Sequence, residues 1–306
     1  MRVEDLKHDA RGRWPGIMAA LGIEIGTGKH TKCPACGGKD RFRFDDKEGD
    51  GTFYCNQCGA GNGFGLIMNV LNIEFPDDMK EVARLCGSVE KGKVLKEKKV
   101  SPETLRRIFL SSKPMKKNDP VGLYLRSRGI KLIPEKLRYM PKCYDTESKK
   151  EHPAMLAVVS SKDGKAITMH RTYLKKNGEK AEMEKCKKLL PGLEKLTGGA
   201  IRLWEMETDK LGIAEGIETA LSCYEYFGVP TWSTINSTLM EKFEVPKNIK
   251  QLVIFADNDS NYTGQKAAYT LANRLMINRN IKVSVKVPEV VGEDFADEYR
   301  RNYSAL

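Results

Sequence analysis

The sequence predicts a multidomain α/β protein whose first domain is a small module held together by a metal ion. Three observations predict this architecture. Two Cys-x-x-Cys pairs lie near the N-terminus, the middle of the chain is strongly basic, and apolar strands alternate with helical segments in the last third. Paired Cys-x-x-Cys turns are typical of metal sites, and alternating strands and helices are typical of a mostly parallel sheet.

Four cysteines are the predicted ligands of one zinc ion: Cys33, Cys36, Cys55 and Cys58. The two pairs are separated by 18 residues, within the range expected of a four-cysteine zinc ribbon. We expect the ion to be structural, because four thiolates leave no open coordination position for water. The alternative, four cysteines that are buried without a metal, is disfavoured by this spacing.

The strand between the two cysteine pairs has two chemically different faces. Its alternation places Arg41 and Arg43 on one face, and Phe42 and Phe44 on the other. We expect the two phenylalanines to belong to the core of the ribbon. Two interpretations of the arginines stay open: contacts to phosphates or guanines of a nucleic acid, or ordinary surface charge.

Helical segments are predicted on both sides of the ribbon, which itself spans about 29–62. Apolar residues at helical spacing predict these segments at 4–22, 64–71 and 77–85. A lysine-rich linker without apolar periodicity follows at 88–100. Ser101 is then a predicted helix N-cap, with a proline at the first helical position.

The rest of the chain predicts two groups of strands. The first group is a hairpin, 153–160 and 166–174, that turns at Asp163-Gly164. The second group alternates with helices and predicts a mostly parallel sheet. Its strands are predicted at 210–214, 231–234, 251–256 and 281–287, and its helices at 216–227, 262–278 and 294–302.

The basic residues are concentrated in the middle of the chain. The formal net charge is +11 overall, whereas residues 88–200 carry +15, residues 1–87 carry −1 and residues 201–306 carry −3. A polyanion bound in the middle region could therefore reach an acidic C-terminal region. A solvated lysine-rich surface is the alternative, and charge alone does not decide between the two.

Several protein classes are disfavoured by the composition. No apolar run approaches the roughly 20 residues that a membrane span needs, and the charged N-terminus lacks the apolar core of a signal peptide. The four cysteines outside the ribbon are scattered and suggest no disulfide framework, which is typical of a reducing compartment. We therefore expect a cytoplasmic protein that does not associate with a membrane.

Carboxylates follow two of the predicted parallel strands. Glu215 follows one strand, and Asp257 and Asp259 follow another. The carboxyl ends of parallel strands meet at one edge of a sheet, and clustered carboxylates require a cation, for which oxygen ligands favour Mg²⁺ or Mn²⁺. Asp294, and less directly Asp297, could join this cluster. The local alternatives are an Asx turn at 257–259 and a helix-dipole partner at 215.

Two groups of motifs resemble one family. The segments GRW at 12–14, KCPACGGKDRFRF at 32–44 and GTFYC at 51–55 resemble the zinc-binding domain of phage and plasmid primase-helicases. The TOPRIM domain of that family is resembled by AEGIETA at 214–220, FADND at 255–259, GQKAA at 264–268 and GED at 292–294. Residues 170–203 are similar to the region that precedes TOPRIM, so the resemblance covers most of 10–300.

This resemblance implies a DNA primase that synthesises short RNA primers on single-stranded DNA by metal-dependent nucleotidyl transfer, in the replication of a phage, plasmid or other mobile element. It implies that Glu215, Asp257 and Asp259 carry the catalytic Mg²⁺ or Mn²⁺, with Asp294 in support. The basic region would hold template and incoming NTPs. Candidates for this role, each equally open to being surface charge, are Arg171, Lys185, Lys187, Lys188, Arg202 and Lys266, the last also a candidate catalytic residue.

The chain departs from the family in two ways. TOPRIM domains often have an aspartate three residues after the glutamate of the Glu-Gly pair, whereas this chain has Glu218 there, followed by Thr219. The roles of Glu218 and Asp297 stay open. No helicase motor follows the TOPRIM-like region, and GIEIGTGK at 22–29 lacks the spacing of a phosphate loop. We therefore expect a separate replicative helicase as partner, or none.

Four segments summarise these predictions: a zinc-ribbon DNA-binding domain (1–87), a lysine-rich linker and helix (88–118), the basic α+β N-terminal part of the primase core (119–204) and a TOPRIM-like catalytic domain (205–306). Two other functions stay open. A TOPRIM nuclease would use the same metals for cleavage, and a non-catalytic replication-initiation subunit would bind DNA without turnover. A topoisomerase is disfavoured, because it needs a large additional domain with a tyrosine nucleophile.

Overall fold

Short helices flank every sheet in this protein. The structure is a computed structural model that describes residues 3–26, 30–92, 100–278 and 281–303. Two units are distinguished, Met1–Lys98 and Lys99–Leu306. The helices in the described residues are α1 (Val3–Ala10), α2 (Trp14–Ala20), α3 (Gly63–Leu71), α4 (Phe75–Cys86), α5 (Pro102–Ser111), α6 (Pro120–Ser127), α7 (Ile217–Phe227), α8 (Ser237–Glu241), α9 (Thr263–Asn278) and α10 (Phe295–Tyr303).

The strands form three sheets. The first sheet contains β1 (Thr31–Cys33), β2 (Gly37–Phe44), β3 (Phe53–Cys55) and β4 (Gly59–Gly61). The second contains β5 (Lys113–Pro114), β6 (Arg138–Asp145), β7 (Lys150–Ser160), β8 (Ala166–Tyr173) and β9 (Lys187–Leu189). The third contains β10 (Lys210–Ala214), β11 (Thr231–Ser233), β12 (Gln251–Phe255) and β13 (Lys282–Lys286).

The first sheet is antiparallel and carries both Cys-x-x-Cys turns. One turn joins β1 to β2 and the other joins β3 to β4. Gly37 and Gly59 follow the second cysteine of each turn with φ values of 70° and 83°, a conformation that glycine adopts without steric cost. The two turns therefore have the same local geometry. Phe42 and Phe44 are buried, as predicted.

The core of the N-terminal unit is centred on Trp14. Its ring lies 4.8 Å from the ring of Phe64 in an edge-to-face arrangement, and a Cβ at Gly63 would lie 2.1 Å from it. The predicted helical stretch 4–22 is two helices, α1 and α2, because Gly12 between them has φ 77° and donates its N–H to Gly49. Most of the predicted linker, 93–99, lies outside the described residues.

The second sheet is an antiparallel sheet in the order β5-β6-β7-β8-β9. The predicted hairpin is its centre, β7 and β8, with Gly164 at φ 84° in the turn. Strands β6 and β9 were not predicted from the sequence. In β6, Pro141 interrupts the apolar alternation where the register shifts between Met140 and Cys143, and β9 is a short strand that contains two lysines.

The third sheet is parallel throughout, in the order β11-β10-β12-β13, as predicted for a mostly parallel sheet. Strands β10 and β12 are neighbours, and their last residues, Ala214 and Phe255, are register partners. The residues that follow these two strands therefore leave the sheet at the same edge. Isolated bridges from Ala200 to Ser160 and from Ile201 to Ser233 connect the second and third sheets within the C-terminal unit.

Candidate metal centres

The four predicted zinc ligands lie together. Their sulfur atoms are all within 4.8 Å of one another. The Sγ atoms of Cys33 and Cys58 are 3.8 Å apart, and those of Cys36 and Cys55 are 3.6 Å apart. Zinc–sulfur bonds of about 2.3 Å in a tetrahedron require sulfur–sulfur distances of about 3.8 Å. The four residues therefore fit a structural zinc ion.

Backbone N–H groups and the close approach of the four sulfur atoms both favour a cation at this site. The N–H of Cys36 points at Cys33 Sγ over 3.5 Å, and the N–H of Gln57 points at Cys55 Sγ over 3.4 Å. Burial and the neighbouring cysteines raise the pKa of Cys58. A cation would relieve this effect, because zinc binds thiolates and displaces their protons.

The ribbon presents Arg41, Arg43 and Tyr54 outside its core. Arg43 is paired with Asp45, with 2.6 Å between Nε and Oδ1, and its register partner Tyr54 is 39% exposed. The Arg41 guanidinium lies across the first cysteine turn, where a Cβ at Gly38 would be 2.2 Å from its Nε. A nucleic-acid role for the two arginines stays a prediction.

The predicted carboxylates surround one edge of the parallel sheet. Glu215 directly follows β10, Asp257 and Asp259 follow β12, and Asp294 precedes α10. Burial, together with Asp259 and Asp294, raises the pKa of Glu215 to about 7. Burial, followed by Glu215, Asp294 and Asp259, raises the pKa of Asp257 to about 8. The structure therefore brings the four residues within electrostatic reach of one another.

Local turns account for some of these carboxylates and not for others. Asp259 Oδ2 accepts the N–H of Gly264 over 2.8 Å, and Asp294 Oδ1 accepts the N–H of Ala296 over 2.7 Å, so both cap helices. Oδ1 of Asp257, by contrast, is buried without a hydrogen-bond partner among the described residues. A buried carboxylate oxygen without a partner is costly, so Asp257 fits a metal-binding role that a turn does not explain.

Hydrogen bonds of Asn258 connect the loop after β12, which carries Asp257 and Asp259, to the loop before α10, which carries Asp294. Its Nδ2 donates to Pro288 O over 2.9 Å and its backbone N–H donates to Glu293 O over 3.0 Å. Gln265, in α9, donates to Asn258 Oδ1 over 2.8 Å. Asp294 is held further by Thr219, whose Oγ1 donates to it over 3.0 Å. Side chains of α7 and α9 thus fix the loop that carries Asp294.

The carboxylates lie further from one another than the four cysteines do. Within the described ranges, the four cysteines are the one set of three or more ligand side chains close enough together to hold an ion as they stand. The carboxylates would have to approach one another on binding. Their donor set, oxygen atoms only, is the one that Mg²⁺ and Mn²⁺ prefer.

Among the basic candidates, Lys187 lies beside this edge. It lowers the pKa of both Glu215 and Asp257, against the stronger opposing effect of burial. Its Nζ is 2.7 Å from Oε2 of Glu218. The position of Lys187 follows from β9, whose pairing with β8 places Lys187 opposite Thr172.

The neighbouring candidates Lys188 and Arg171 have other partners. Lys188 Nζ lies 2.8 Å from Oδ1 of the buried Asp145 and 2.7 Å from Glu147. Arg171 is buried, and its Nη1 donates to the Tyr173 hydroxyl over 2.6 Å. Both side chains stabilise the second sheet. Successive residues of a strand point to opposite faces, which separates Lys187 from Lys188.

The other three candidates are spread over the C-terminal unit. Arg202 donates to Ser161 O and Lys162 O, stacks 4.7 Å from the Trp232 ring, and lines a cavity of about 530 Å³. Lys185 and Lys266 are exposed. A role for any of these side chains in binding template or nucleotide stays a prediction.

Sequence analysis missed two further cations near Lys187. Burial lowers the pKa of Lys180, and the charges of Lys187 and Arg128 lower it further, so the three cations lie within electrostatic reach. Arg128 also lies over the ring of Tyr124, with 5.8 Å to the centroid. No local motif marks these two residues, because Arg128 follows the end of α6, whereas Lys180 lies in an isolated bridge with Leu174 more than 50 residues later.

Three family models match the chain. A zinc-binding domain of primase-helicase matches residues 28–64, and a Toprim domain matches residues 210–304. The chain joins a primase-type zinc-binding domain to a Toprim domain. Between them, a domain of unknown function (DUF7146) matches residues 99–203. The resemblance and the fold class predicted from the sequence are thereby confirmed.

Solved primase structures show distant similarity to this combination of a primase-type zinc-binding domain and a Toprim domain. The zinc-binding and RNA polymerase domains of the Aquifex aeolicus primase are 16% identical, with 98% of this chain and 82% of that chain covered and a TM-score of 0.45. The primase fragment of the bacteriophage T7 primase-helicase is 14% identical, with 90% and 96% covered and a TM-score of 0.42.

A DNA primase domain from Pseudomonas aeruginosa is 12% identical, with 52% of each chain covered and a TM-score of 0.37. The chain thus spans about half the length of that domain. Such distant similarities assign no residue role in the primase-type zinc-binding domain or the Toprim domain. Among the helices of the described residues, none is long and apolar enough to cross a membrane.

Proposed function

We propose that this protein is a DNA primase that makes short RNA primers on single-stranded DNA. The observation that carries this proposal is the combination, in one chain, of a primase-type zinc-binding domain with a Toprim domain. Carboxylates at one edge of the Toprim sheet surround a buried Asp257 oxygen that accepts no hydrogen bond from the residues that the structure describes. A zinc-binding domain alone would support DNA binding, and a Toprim domain alone would support several metal-dependent reactions on nucleic acids.

The proposed roles follow from chemistry and placement. Glu215, Asp257 and Asp259 would hold Mg²⁺ or Mn²⁺, with Asp294 in support. Such ions neutralise charge on a triphosphate and favour attack by the primer 3′-hydroxyl. The ammonium group of Lys187, beside the carboxylates, would attract and orient the phosphates of the incoming nucleotide.

The zinc ribbon would bind the template. Arg41, Arg43 and the exposed Tyr54 offer charge for phosphates and a ring for base stacking. The proposed partners are single-stranded DNA, nucleoside triphosphates and a separate replicative helicase. The proposed setting is the cytoplasm of a bacterium, in the replication of a phage, plasmid or other mobile element.

A direct test incubates the purified protein with single-stranded DNA of varied sequence, labelled nucleoside triphosphates and Mg²⁺ or Mn²⁺. The proposal predicts short labelled RNAs that appear only with template and divalent metal. Degraded template without triphosphates would instead identify a Toprim nuclease. DNA binding without either product, across templates and with a helicase present, would identify a non-catalytic initiation subunit.

A further inference from the structure

Glu218 is a buried carboxylate that the proposed metal site does not use. It lies in the first turn of α7, one turn after Glu215, and its side chain is only 8% exposed. Its helix neighbours Ile217, Ala220 and Leu221 belong to the apolar core. Burying a charge in such surroundings is strongly destabilising unless the charge is paired and hydrogen-bonded. The position therefore requires partners.

Both oxygens of Glu218 have a partner, and each partner comes from a different element. The hydroxyl of Tyr124, in α6, donates to Oε1 over 2.6 Å. The ammonium of Lys187, in β9, donates to Oε2 over 2.7 Å. Burial alone would raise the pKa of Glu218, but Lys187 and Tyr124 outweigh burial and lower this pKa to about 2. Glu218 is therefore ionised at neutral pH.

The backbone and the side chain of Lys187 differ in how strongly the fold restricts their conformation. Its backbone is fixed in a three-residue edge strand, while its side chain is 41% exposed. An exposed lysine normally samples many rotamers, and fixing one of them costs side-chain entropy. The charged hydrogen bond to the buried Glu218 carboxylate offsets this cost and stabilises one rotamer of Lys187.

That position is beside the carboxylates of the candidate catalytic site. The charge of Lys187 lowers the pKa of Glu215 and of Asp257, against the larger effect of burial. The next lysine, Lys188, is paired with Asp145 on the other face of the strand. The alternation of side chains along β9 places Lys187, and not Lys188, on the face of the acidic edge, and Glu218 holds its ammonium group there.

We propose that Glu218 is a positioning residue, which holds the Lys187 ammonium beside Glu215 and Asp257 so that this ammonium meets the phosphates of a bound nucleoside triphosphate. Tyr124 fixes the carboxylate of Glu218 from the opposite side. This inference rests on the proposed function. A purely structural role for Glu218, joining α7 to α6 and β9, is the competing explanation.

Glu218→Gln and Lys187→Met separate the two explanations when they are made singly and together. Glutamine keeps the size of Glu218 and an acceptor for Tyr124, but it loses the charge that holds Lys187. The measured quantity is the Kd of a non-hydrolysable nucleoside triphosphate in the presence of Ca²⁺, beside the melting temperature of each variant. This Kd does not depend on turnover.

If Glu218 acts through Lys187, Glu218→Gln weakens triphosphate binding about tenfold and has no further effect in the Lys187→Met protein. Should Glu218→Gln not fold, Glu218→Asp shortens the carboxylate while it keeps the charge, and the same cycle applies. Wherever primer synthesis is measurable, the loss should appear in KM for the triphosphate rather than in kcat.

Glu225→Gln is the matched control. Glu225 lies on the same helix, two turns further on, and its Oε2 also accepts a tyrosine hydroxyl, that of Tyr299. Its Oε1 accepts the backbone N–H groups of Lys131 and Leu132, and no lysine ammonium group pairs with it among the described residues. Its replacement should lower stability and leave the triphosphate Kd unchanged.

The inference is overturned if Glu218→Gln leaves the Kd unchanged, or weakens it equally with and without Lys187. Failure of the proposed function looks different: primer synthesis is absent in the wild-type protein while triphosphate binding and its dependence on Glu218 persist. The two ideas are therefore tested separately.

Discussion

Ala214 and Phe255 are register partners at the ends of the two central parallel strands. This pairing places Glu215 and Asp257, which come one and two residues later, at one edge of the sheet. Burial raises the pKa of both residues, and the charges of Asp259 and Asp294 raise both further, while Glu215 also raises the pKa of Asp257. The ionised forms of the four carboxylates at this edge therefore repel one another, and a divalent cation would offset this repulsion.

The stability of the metal-free protein should fall as pH rises. The folded-state pKa values of Glu215 and Asp257, about 7 and about 8, lie above the ordinary values of these groups. Folding therefore favours the protonated forms, and their contribution to stability is complete below about pH 4 and is lost up to about pH 8.

Melting temperatures between pH 5 and pH 9, with a metal chelator and with Mg²⁺, measure this effect. Mg²⁺ should stabilise the protein increasingly as pH rises. In Asp257→Asn, which lacks one of the repelling charges, the pH dependence of the chelated protein should be weaker. An equal stabilisation by Mg²⁺ at pH 5 and pH 9 would contradict the carboxylate site.

Replacing Cys36 with Ser should remove the zinc ion and unfold the ribbon. Three remaining thiolates hold zinc far less tightly, and folding and metal binding are coupled in such modules. Zinc content by atomic emission is the measurement. Cys86→Ser is the control, because Cys86 lies outside the four-sulfur cluster. Full zinc content in Cys36→Ser would refute the ligand assignment.

Gly264→Ala should impair the acidic site while the fold survives. A Cβ at Gly264 would lie 2.7 Å from the carbonyl oxygen of Asp257 and 3.2 Å from its Cβ, so the start of α9 and Asp257 must move apart. Metal-dependent activity should fall at least about tenfold, since small displacements of reacting groups are costly.

Gly65→Ala provides the comparison for this variant, because its new Cβ would meet only the Asn62 side chain at 3.7 Å. It should keep both activity and stability. Wild-type activity in Gly264→Ala would show that Asp257 does not need its present position.

Lys188→Met should destabilise the C-terminal unit. Asp145 is 1% exposed, and hydrogen bonds from Lys188 and Ser148 outweigh burial and hold its pKa at about 2. Loss of Lys188 leaves a buried acceptor short of a donor, at a cost of about 1–3 kcal/mol. Urea unfolding measures this cost, and Lys195→Met, at an exposed lysine of the same unit, should change stability little.

Local signals explain what the sequence predicted correctly. The cysteine spacing predicted the zinc ribbon, and apolar runs that end in carboxylates predicted adjacent parallel strands, because both features lie within short segments. The break at Gly12 between α1 and α2 was missed, since apolar residues at helical spacing continue across it.

Long-range contacts explain what the sequence could not show. Tyr124 and Glu218 are 94 residues apart and meet because α6 and α7 contribute to the same apolar core. Lys187 and Lys188 are adjacent and equally basic, and only the register of β9 on β8 decides which one faces the carboxylates. Arg171 was a candidate for nucleotide binding on charge alone, whereas its guanidinium is buried in the second sheet.

The most direct test of the account compares metal-dependent primer synthesis by the wild-type protein, Asp257→Asn and Asp297→Asn. Asp297, which the sequence placed less directly in the acidic cluster, is a carboxylate of α10 that pairs with Arg300 over 3.0 Å, and the proposed metal site does not include it. We predict template-dependent RNA from the wild type and from Asp297→Asn, and none from Asp257→Asn, with all three proteins folded. Undiminished synthesis by a folded Asp257→Asn protein would contradict the account.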